Sequence, residues 1–146
     1  MIRIATEDDM PRILEIEREA ISPPWTHGGL LSEIYNEDSF FAVWDAQTAT
    51  APQILGFVIL RRAADEGELF QIAVEAAHRR SGVADALMEA ALDWARGCGI
   101  SKTFLEVRKS NAAAISLYAK HGFKEMSLRK EYYDEPVEDA VIFVRN

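Results

Sequence analysis

The segment from residue 68 to residue 96 constrains the fold more than any other part of this sequence. Its first part, residues 68–74, is an apolar strand pattern, and a short polar connection leads from it into the turn Arg79-Arg80-Ser81-Gly82-Val83-Ala84. A helix pattern follows at once and carries apolar residues at helical spacing, namely Leu87, Met88, Ala91, Leu92 and Ala95. This strand, turn and helix predict a domain of mixed α/β class.

Further strand and helix patterns lie on both sides of that segment. Strands are predicted for residues 2–4, 40–44, 54–60 and 102–107, with a final pair that begins at Phe123 and closes with residues 140–144. Helices are predicted for residues 10–20, 26–36 and 111–120, and the apolar side of the second includes Tyr35. Residues 63–67 are predicted to form a turn that returns residues 68–74 antiparallel beside residues 54–60. The longest irregular stretch is expected at residues 133–139.

Length, charge and cysteine content narrow the class of protein. A chain of 146 residues without a long linker is expected to form one domain over residues 1–146. Since the first residues contain no apolar stretch for a signal peptide or a membrane span, we expect a cytoplasmic protein with no membrane partner. A net charge of −8 argues against a nucleic-acid partner, because phosphate contacts need a basic surface. The single cysteine, Cys98, has no disulfide partner and no neighbouring ligand, so no metal is expected.

The turn after the first of these strands has the properties of an anion site. Gly82 and Ala84 allow the backbone to approach a ligand closely, and the first N–H groups of the following helix have no partner within it. The helix dipole and the charges of Arg79 and Arg80 add positive potential, so the turn can hold a pyrophosphate largely by its backbone. The alternative is an ordinary helix start with two solvated arginines, which the short motif alone would favour. The strand before the turn and the helix after it reverse that preference.

Three polar residues in the C-terminal half are candidates for a functional site. Glu106 lies near the end of the strand at residues 102–107, where it either pairs with Arg108 or Lys109 or acts as a general base. Asn111 and Tyr118 are spaced so that they share one face of the next helix, along which a ligand can lie. Taken singly, Asn111 would be a helix cap and Tyr118 a core aromatic, and either role is compatible with ligand contact.

Taken together, these motifs resemble the GCN5-related N-acetyltransferase superfamily. The turn matches the family pattern Arg/Gln-x-x-Gly-x-Gly/Ala through Arg79, Gly82 and Ala84, with alanine in place of the second glycine. The continuous stretch from Leu105 to Tyr118 is similar to the RimI-type branch, which acetylates the N-terminal alanine of a small-subunit ribosomal protein in bacteria. Shorter similarities to that branch are Leu69-Phe70-Gln71-Ile72-Ala73-Val74, Pro24-Trp25 and Tyr132-Tyr133. The loop at residues 45–53 does not align readily.

The resemblance implies a fold, a substrate and a set of roles. It implies a central mixed, mostly antiparallel sheet of about six to seven strands, flanked by about four helices. It implies that acetyl-coenzyme A donates the acetyl group directly to an amine, with Glu106 as general base and Tyr118 as general acid. Residues implied to contact the cofactor are Ile72, Ala73, Val74, Arg79, Arg80, Ser81, Gly82, Val83, Ala84, Asn111 and Tyr118.

Several alternatives remain open at the level of sequence. Glu68 is a second candidate base, because related acetyltransferases often place an acid on that strand. The expected acceptor is the N-terminal peptide of a protein, such as a small-subunit ribosomal protein, and the alternative is a lysine side chain, a polyamine or a small metabolite. A non-catalytic acyl-coenzyme A sensor is a third hypothesis. The walls of the acceptor site are expected at residues 25–35 and 132–139.

Overall fold

A seven-stranded sheet flanked by four helices organises the chain in a computed structural model that describes residues 1–48 and 50–146. Ala49, in the loop predicted at residues 45–53, lies outside the described residues. The strands are β1 Ile2–Ile4, β2 Ser39–Asp45, β3 Ile54–Ala63, β4 Glu66–Val74, β5 Lys102–Arg108, β6 Lys124–Asp134 and β7 Val137–Arg145. The helices are α1 Met10–Ala20, α2 His27–Tyr35, α3 Val83–Gly97 and α4 Ala112–Lys120. Their arrangement confirms the predicted fold class.

The strand order β1-β2-β3-β4-β5-β7-β6 places β4 and β5 side by side in the middle of the sheet. They form the one parallel pair among the described strands, and they pair only where Glu66–Glu68 face Lys102–Phe104. Beyond that point the strands separate. The gap between residues 69–74 of β4 and residues 105–108 of β5 is called the slot below. It opens toward the carboxyl ends of both strands, where ligands bind in open α/β sheets.

Two apolar clusters cover the two faces of the sheet. On one face α3 packs through the helical stripe predicted from the sequence, and Leu87, Met88 and Ala91 are fully buried against β2, β3 and β4. On the other face α1 buries Ile13 and Ile16 against β3 and β4, and α2 buries Leu30 against β2. Fully burying a side chain of this size contributes roughly 1.5–3 kcal/mol, so these stripes fix the positions of the helices. No helix of the described residues combines the length and apolar composition needed to cross a membrane.

Local capping explains where the first two helices begin. The Asp9 carboxylate accepts the Thr6 N–H at 2.9 Å, which forms the predicted capping box before α1. The Thr26 hydroxyl accepts the Gly29 N–H at 3.0 Å at the start of α2. The connection between α1 and α2, residues 21–26, lies against β4, where the ring of Trp25 packs against Phe70 at 5.6 Å.

Three local expectations were wrong. The predicted turn at residues 63–67 is shorter, because β3 runs to Ala63 and β4 already begins at Glu66. The predicted irregular stretch at residues 133–139 is a tight hairpin, in which β6 and β7 leave only Glu135 and Pro136 unpaired between them. Tyr35 is 65% exposed and does not belong to the apolar side of α2. Its hydroxyl donates to Glu7 instead, at 2.5 Å.

Arg3 pairs with both Asp9 and Asp45, whose carboxylates lie 2.8 Å and 3.1 Å from it. The two aspartates are only 5% and 2% exposed, so removing the guanidinium leaves two buried charges without their partner. We expect Arg3→Ala to lower the free energy of unfolding by about 3 kcal/mol, measured by urea denaturation. As a control, Arg62→Ala removes an exposed pair with Asp38 and is expected to cost about 1 kcal/mol or less.

The buried aspartates that pair with Arg3 also determine how the stability of the protein depends on pH. Burial opposes the charge of Asp9, but hydrogen bonds from Arg3 and Thr6 outweigh it and hold the pKa of Asp9 below its ordinary value. Burial likewise opposes the charge of Asp45, and backbone N–H donors together with Arg3 lower its pKa. This stabilisation is complete above the ordinary aspartate pKa of about 3.9 and is lost as the pH falls through the lowered values. If Arg3→Ala and Arg62→Ala lowered the free energy of unfolding equally, Arg3 would not be the group that stabilises the two buried carboxylates.

Candidate active site

The turn before α3 presents free backbone donors. Arg80 and Gly82 have positive φ angles of 64° and 88°, which turn the chain sharply into the helix. The first helical hydrogen bond runs from the Ala86 N–H to the Gly82 carbonyl at 3.1 Å. No acceptor for the backbone N–H groups of Val83, Ala84 and Asp85 lies in the part of the chain that the structure describes. The turn therefore presents unpaired N–H groups at a helix N-terminus, as an anion site requires, and the binding of an anion there stays a prediction.

Gly82 and Arg79 shape this turn in different ways. An L residue at the φ of Gly82 is strained, although a Cβ there would meet no atom within 4 Å. The Arg79 Nε donates to the Val74 carbonyl at 3.2 Å, and its Nη2 lies 3.8 Å from a carboxylate oxygen of Glu19. Arg79 is therefore anchored to the end of β4, with its side chain half-exposed beside the turn.

The slot exposes one backbone edge of β4. The Glu75 N–H donates to the Leu55 carbonyl of β3 at 2.8 Å. Because backbone groups alternate in direction along a strand, the N–H groups of Ile72 and Val74 point the opposite way, into the slot. Phe70 has no partner on β3, since Gln71 and Leu69 pair with consecutive residues there, so β4 contains a bulge. Bulges of this kind redirect side chains next to binding sites.

Glu106 lies near the closed end of the slot, two residues beyond the last parallel pair of β5. Its carboxylate is one-quarter exposed and pairs with the Arg129 guanidinium of β6 at 3.1 Å. The ion-pair alternative predicted from the sequence is therefore present, but with Arg129 and not with Arg108 or Lys109. The charge of Glu106 also raises the pKa of Tyr132. Arg129 was missed because its pairing depends on the register between β6 and β7, which the sequence does not show.

Glu68 faces the same side of the sheet as Glu106. Burial raises the pKa of Glu68, and the charge of Glu106 raises it further, whereas Arg61 and Arg129 oppose the shift. A cavity of about 380 Å³ lies between these groups. Its lining includes Arg61, Glu68, Phe70, Glu106, Met126 and Arg129. The structure thus brings the two candidate bases together at one cavity.

Tyr118 lies on the other side of β5, in the cluster under α3. Its ring packs edge-on against Phe123 at 5.9 Å and against Phe143 at 6.5 Å, and the residue is 8% exposed. Burial raises the pKa of Tyr118 to about 12, with a smaller contribution from Tyr133. Its hydroxyl makes no hydrogen bond within the described part of the chain. The ring of Tyr118 therefore belongs to the core, as one sequence interpretation predicted. Its hydroxyl is neutral and free to donate, and its role as general acid stays a prediction.

Asn111 takes the capping role that the sequence offered as an alternative. Its Oδ1 accepts the Ala114 N–H at 3.1 Å and so begins α4. The residue is exposed, and its amide nitrogen is not used by the cap. Contact between Asn111 and a cofactor stays a prediction.

Arg108 links the expected acceptor wall at residues 132–139 to Ser22, which lies just before the expected wall at residues 25–35. Its guanidinium donates to the Ser22 carbonyl, before α2, at 3.3 Å, and to the Glu135 and Pro136 carbonyls of the β6–β7 hairpin at 3.2 and 3.0 Å. It also lies 4.3 Å above the ring of Tyr133. One side chain at the end of β5 therefore connects the β6–β7 hairpin with the segment between α1 and α2. Sequence reasoning named Arg108 only as a possible partner of Glu106.

Comparisons with known proteins agree with this geometry. A family model described as the acetyltransferase (GNAT) family matches residues 10–123. The ribosomal protein bS18-alanine N-acetyltransferase of Haemophilus ducreyi is 36% identical over 145 residues, which cover 97% of this chain and 97% of that protein. The enzyme of the same name from Escherichia coli is 35% identical over 136 residues, which cover 92% of this chain and 88% of that protein.

Solved structures show the same likeness. The crystal structure of the ribosomal-protein-S18-alanine N-acetyltransferase from Escherichia coli has a TM-score of 0.88 at 33% identity, covering 99% of this chain and 92% of that chain. Ard1 from Thermoplasma volcanium also has a TM-score of 0.88, at 27% identity, with 99% of this chain and 95% of that chain covered.

Proposed function

The chain belongs to the acetyltransferase (GNAT) family, and we propose that it transfers an acetyl group from acetyl-coenzyme A to the N-terminal α-amine of a protein. It is an N-acetyltransferase, because the family model matches most of its length and its relatives carry that activity in their names. Those relatives are named for the alanine of ribosomal protein bS18. A protein that begins with alanine, of the bS18 type, is the acceptor we propose.

The free donors at the turn and in the slot support the binding of acetyl-coenzyme A. A pyrophosphate fits the N–H groups of Val83 and Ala84, with Arg79 and Arg80 beside it. The pantetheine arm fits the slot, where the open edge of β4 offers backbone groups from Ile72 to Val74. The Ser81 hydroxyl is engaged with the His78 carbonyl, so its part in this proposal is to shape the turn. One observation carries the proposal: the slot leads from these donors to Glu106.

Glu106 is the base we propose for the reacting amine. An α-amine with a pKa of about 8 is roughly one-tenth neutral at pH 7, whereas a lysine with a pKa of about 10.4 is far less so. The neutral nitrogen attacks the thioester carbonyl, and its proton passes to Glu106 directly or through a water. Arg129 is half-exposed, and exposed pairs are weak, so the entering ammonium group can replace it at the carboxylate. Glu68 remains the second candidate.

Backbone donors and Tyr118 complete the proposed reaction. The slot-facing N–H groups near Ile72 and Val74 can polarise the thioester carbonyl oxygen as negative charge develops on it. The carbon–sulfur bond then breaks, and the thiolate takes a proton or a hydrogen bond from the Tyr118 hydroxyl. A hydroxyl whose pKa is raised to about 12 stays protonated throughout the neutral range. No covalent enzyme intermediate is required.

The acceptor is tested with a matched pair of peptides that contain one internal lysine. Both begin with the same alanine, which is free in one peptide and chemically blocked in the other. We expect the purified protein and acetyl-coenzyme A to acetylate only the free peptide, and fragment masses should place the acetyl group on the first residue. Acetylation of the lysine in both peptides would overturn the α-amine assignment. Acetylation of polyamines in preference to either peptide would assign a small-molecule acceptor.

A further inference from the structure

Glu17 on α1 is a fully buried carboxyl without a cationic partner among the described residues. It is 0% exposed, whereas Glu15 on the same helix is 65% exposed. Its Oε2 accepts the Trp25 backbone N–H at 3.0 Å and the Gln71 Nε2 at 3.1 Å. An isolated carboxylate charge in such a place would be strongly unfavourable. The buried environment of Glu17 therefore requires an explanation that the acetyl-transfer reaction does not supply.

Two unpaired atoms indicate the form that Glu17 takes. Glu17 Oε1 and Gln71 Oε1 are both buried acceptors with no donor in the part of the chain that the structure describes. A proton on Glu17 Oε1 gives each of them a partner, since the acid hydroxyl then donates to the Gln71 carbonyl oxygen. The Gln71 Nε2 already donates in the opposite direction, so the two side chains form a reciprocal acid–amide pair. Burial also raises the pKa of Glu17, which favours the same neutral form.

The pair joins two segments that border the cavity. Trp25 belongs to the connection between α1 and α2, and Gln71 lies on β4 directly after the bulge at Phe70. The ring of Trp25 packs edge-on against Phe70 at 5.6 Å, and Phe70 lines the cavity beside Glu68 and Glu106. Glu17 therefore binds the connection between α1 and α2 at the Trp25 backbone, and it binds the strand that carries Phe70 through Gln71.

We propose that Glu17 is a positioning residue of the acceptor site, which as a neutral acid paired with Gln71 fixes Trp25 against Phe70. Glu17 itself contacts neither the amine nor the thioester. The consequence for acceptor binding rests on the proposed function, because it assumes that the cavity receives the acceptor peptide. The pairing with Gln71 and the fixing of Trp25 do not depend on that assumption.

Three variants test the proposal. Glu17→Gln keeps an oxygen for the Trp25 N–H and supplies an N–H to Gln71, so it mimics the neutral acid. Glu17→Met has a similar length but can neither accept nor donate these hydrogen bonds. Glu15→Met is the control, since it makes the same substitution at an exposed position of α1. The measurements are the hydrogen exchange rate of the Trp25 amide, the KM for an alanine-starting peptide, and the Kd for acetyl-coenzyme A.

We expect Glu17→Gln and Glu15→Met to resemble the wild type in all three measurements. Glu17→Met should accelerate exchange at Trp25 and raise the peptide KM roughly tenfold, because a buried N–H loses its acceptor, while the Kd for acetyl-coenzyme A stays unchanged. Should Glu17→Met fail to fold, Glu17→Asp, which keeps the acid but shortens it by one methylene, provides the same comparison with Glu17→Gln.

Two results would overturn the proposal. Wild-type exchange and KM in Glu17→Met would show that Glu17 positions nothing. Equal losses in Glu17→Gln and Glu17→Met would show that a charged carboxylate, and not a neutral acid, is required. A wild-type protein that acetylates no peptide would instead refute the proposed function, and the exchange comparison would still decide the role of Glu17 at Trp25.

Discussion

Glu106→Gln is expected to lower kcat for an alanine-starting peptide by about 10²- to 10⁴-fold, the range for loss of a general base. The amide keeps the size of the carboxylate but cannot take the proton from the attacking amine. The Kd for acetyl-coenzyme A should not change, because the proposed pyrophosphate donors lie at the turn before α3 and not at β5. Steady-state kinetics and direct titration of acetyl-coenzyme A measure the two quantities separately.

Glu68→Gln is the matched control for that experiment. It removes the other carboxylate at the same cavity, on β4, where the two strands are still paired. We expect a loss of kcat that is at least tenfold smaller than for Glu106→Gln. The raised pKa of Glu68 favours the uptake of a proton by that carboxylate, so Glu68→Gln is a stringent control. A larger loss of kcat in Glu68→Gln than in Glu106→Gln would assign the base to Glu68. Wild-type activity of Glu106→Gln would refute the role of Glu106.

Tyr118→Phe is expected to lower kcat by about 10²-fold with little change in stability. The substitution keeps the aromatic ring, which packs against Phe123 and Phe143, and removes only the hydroxyl. That hydroxyl makes no hydrogen bond within the described chain, so its loss leaves no other group unpaired. Since burial raises the pKa of Tyr118 to about 12, its ionisation should not limit kcat below about pH 11.

Tyr35→Phe serves as the control for Tyr118→Phe, because Tyr35 is exposed on α2 and bonds only to Glu7 among the described residues. At saturating peptide it should leave kcat unchanged, because the Tyr35 hydroxyl bonds to Glu7 and the residue does not line the cavity, although it lies at the end of the segment expected to border the acceptor. Thermal unfolding of both variants separates an effect on chemistry from an effect on folding. An unaltered kcat in Tyr118→Phe would remove the general acid from the mechanism, and a large loss of stability would assign Tyr118 to the core alone.

The fold was largely predictable from local patterns. The stripe of Leu87, Met88 and Ala91 predicted α3 because a helix buries one face, and alternating or continuous apolar runs predicted the strands. Hairpin ends were less predictable. Residues 133–139 contain turn-forming and polar residues, yet they extend β6 and β7 because backbone pairing across the hairpin outweighs their weak strand preference.

The candidate site was predictable only where it is local in the sequence. The turn at residues 79–84 and the acid at Glu106 each lie in a short motif, so their types and places were evident. The pairing of Glu106 with Arg129 depends on the register of β5, β7 and β6, and Arg108 contacts segments 86 and 28 residues away. The Glu17–Gln71 pair spans 54 residues and two elements. Contacts of this kind arise from packing and leave no local signal.

A single-turnover experiment tests the central claim most directly, that a protein α-amine attacks acetyl-coenzyme A at Glu106. Excess enzyme is mixed with acetyl-coenzyme A and an alanine-starting bS18 peptide, and the masses of enzyme and peptide are followed over time. We predict that the acetyl group appears on the peptide α-amine without ever residing on the enzyme, at a rate at least 10²-fold lower in Glu106→Gln. An acetyl group that first resides on an enzyme side chain such as Cys98, or that reaches only lysine, would contradict the account.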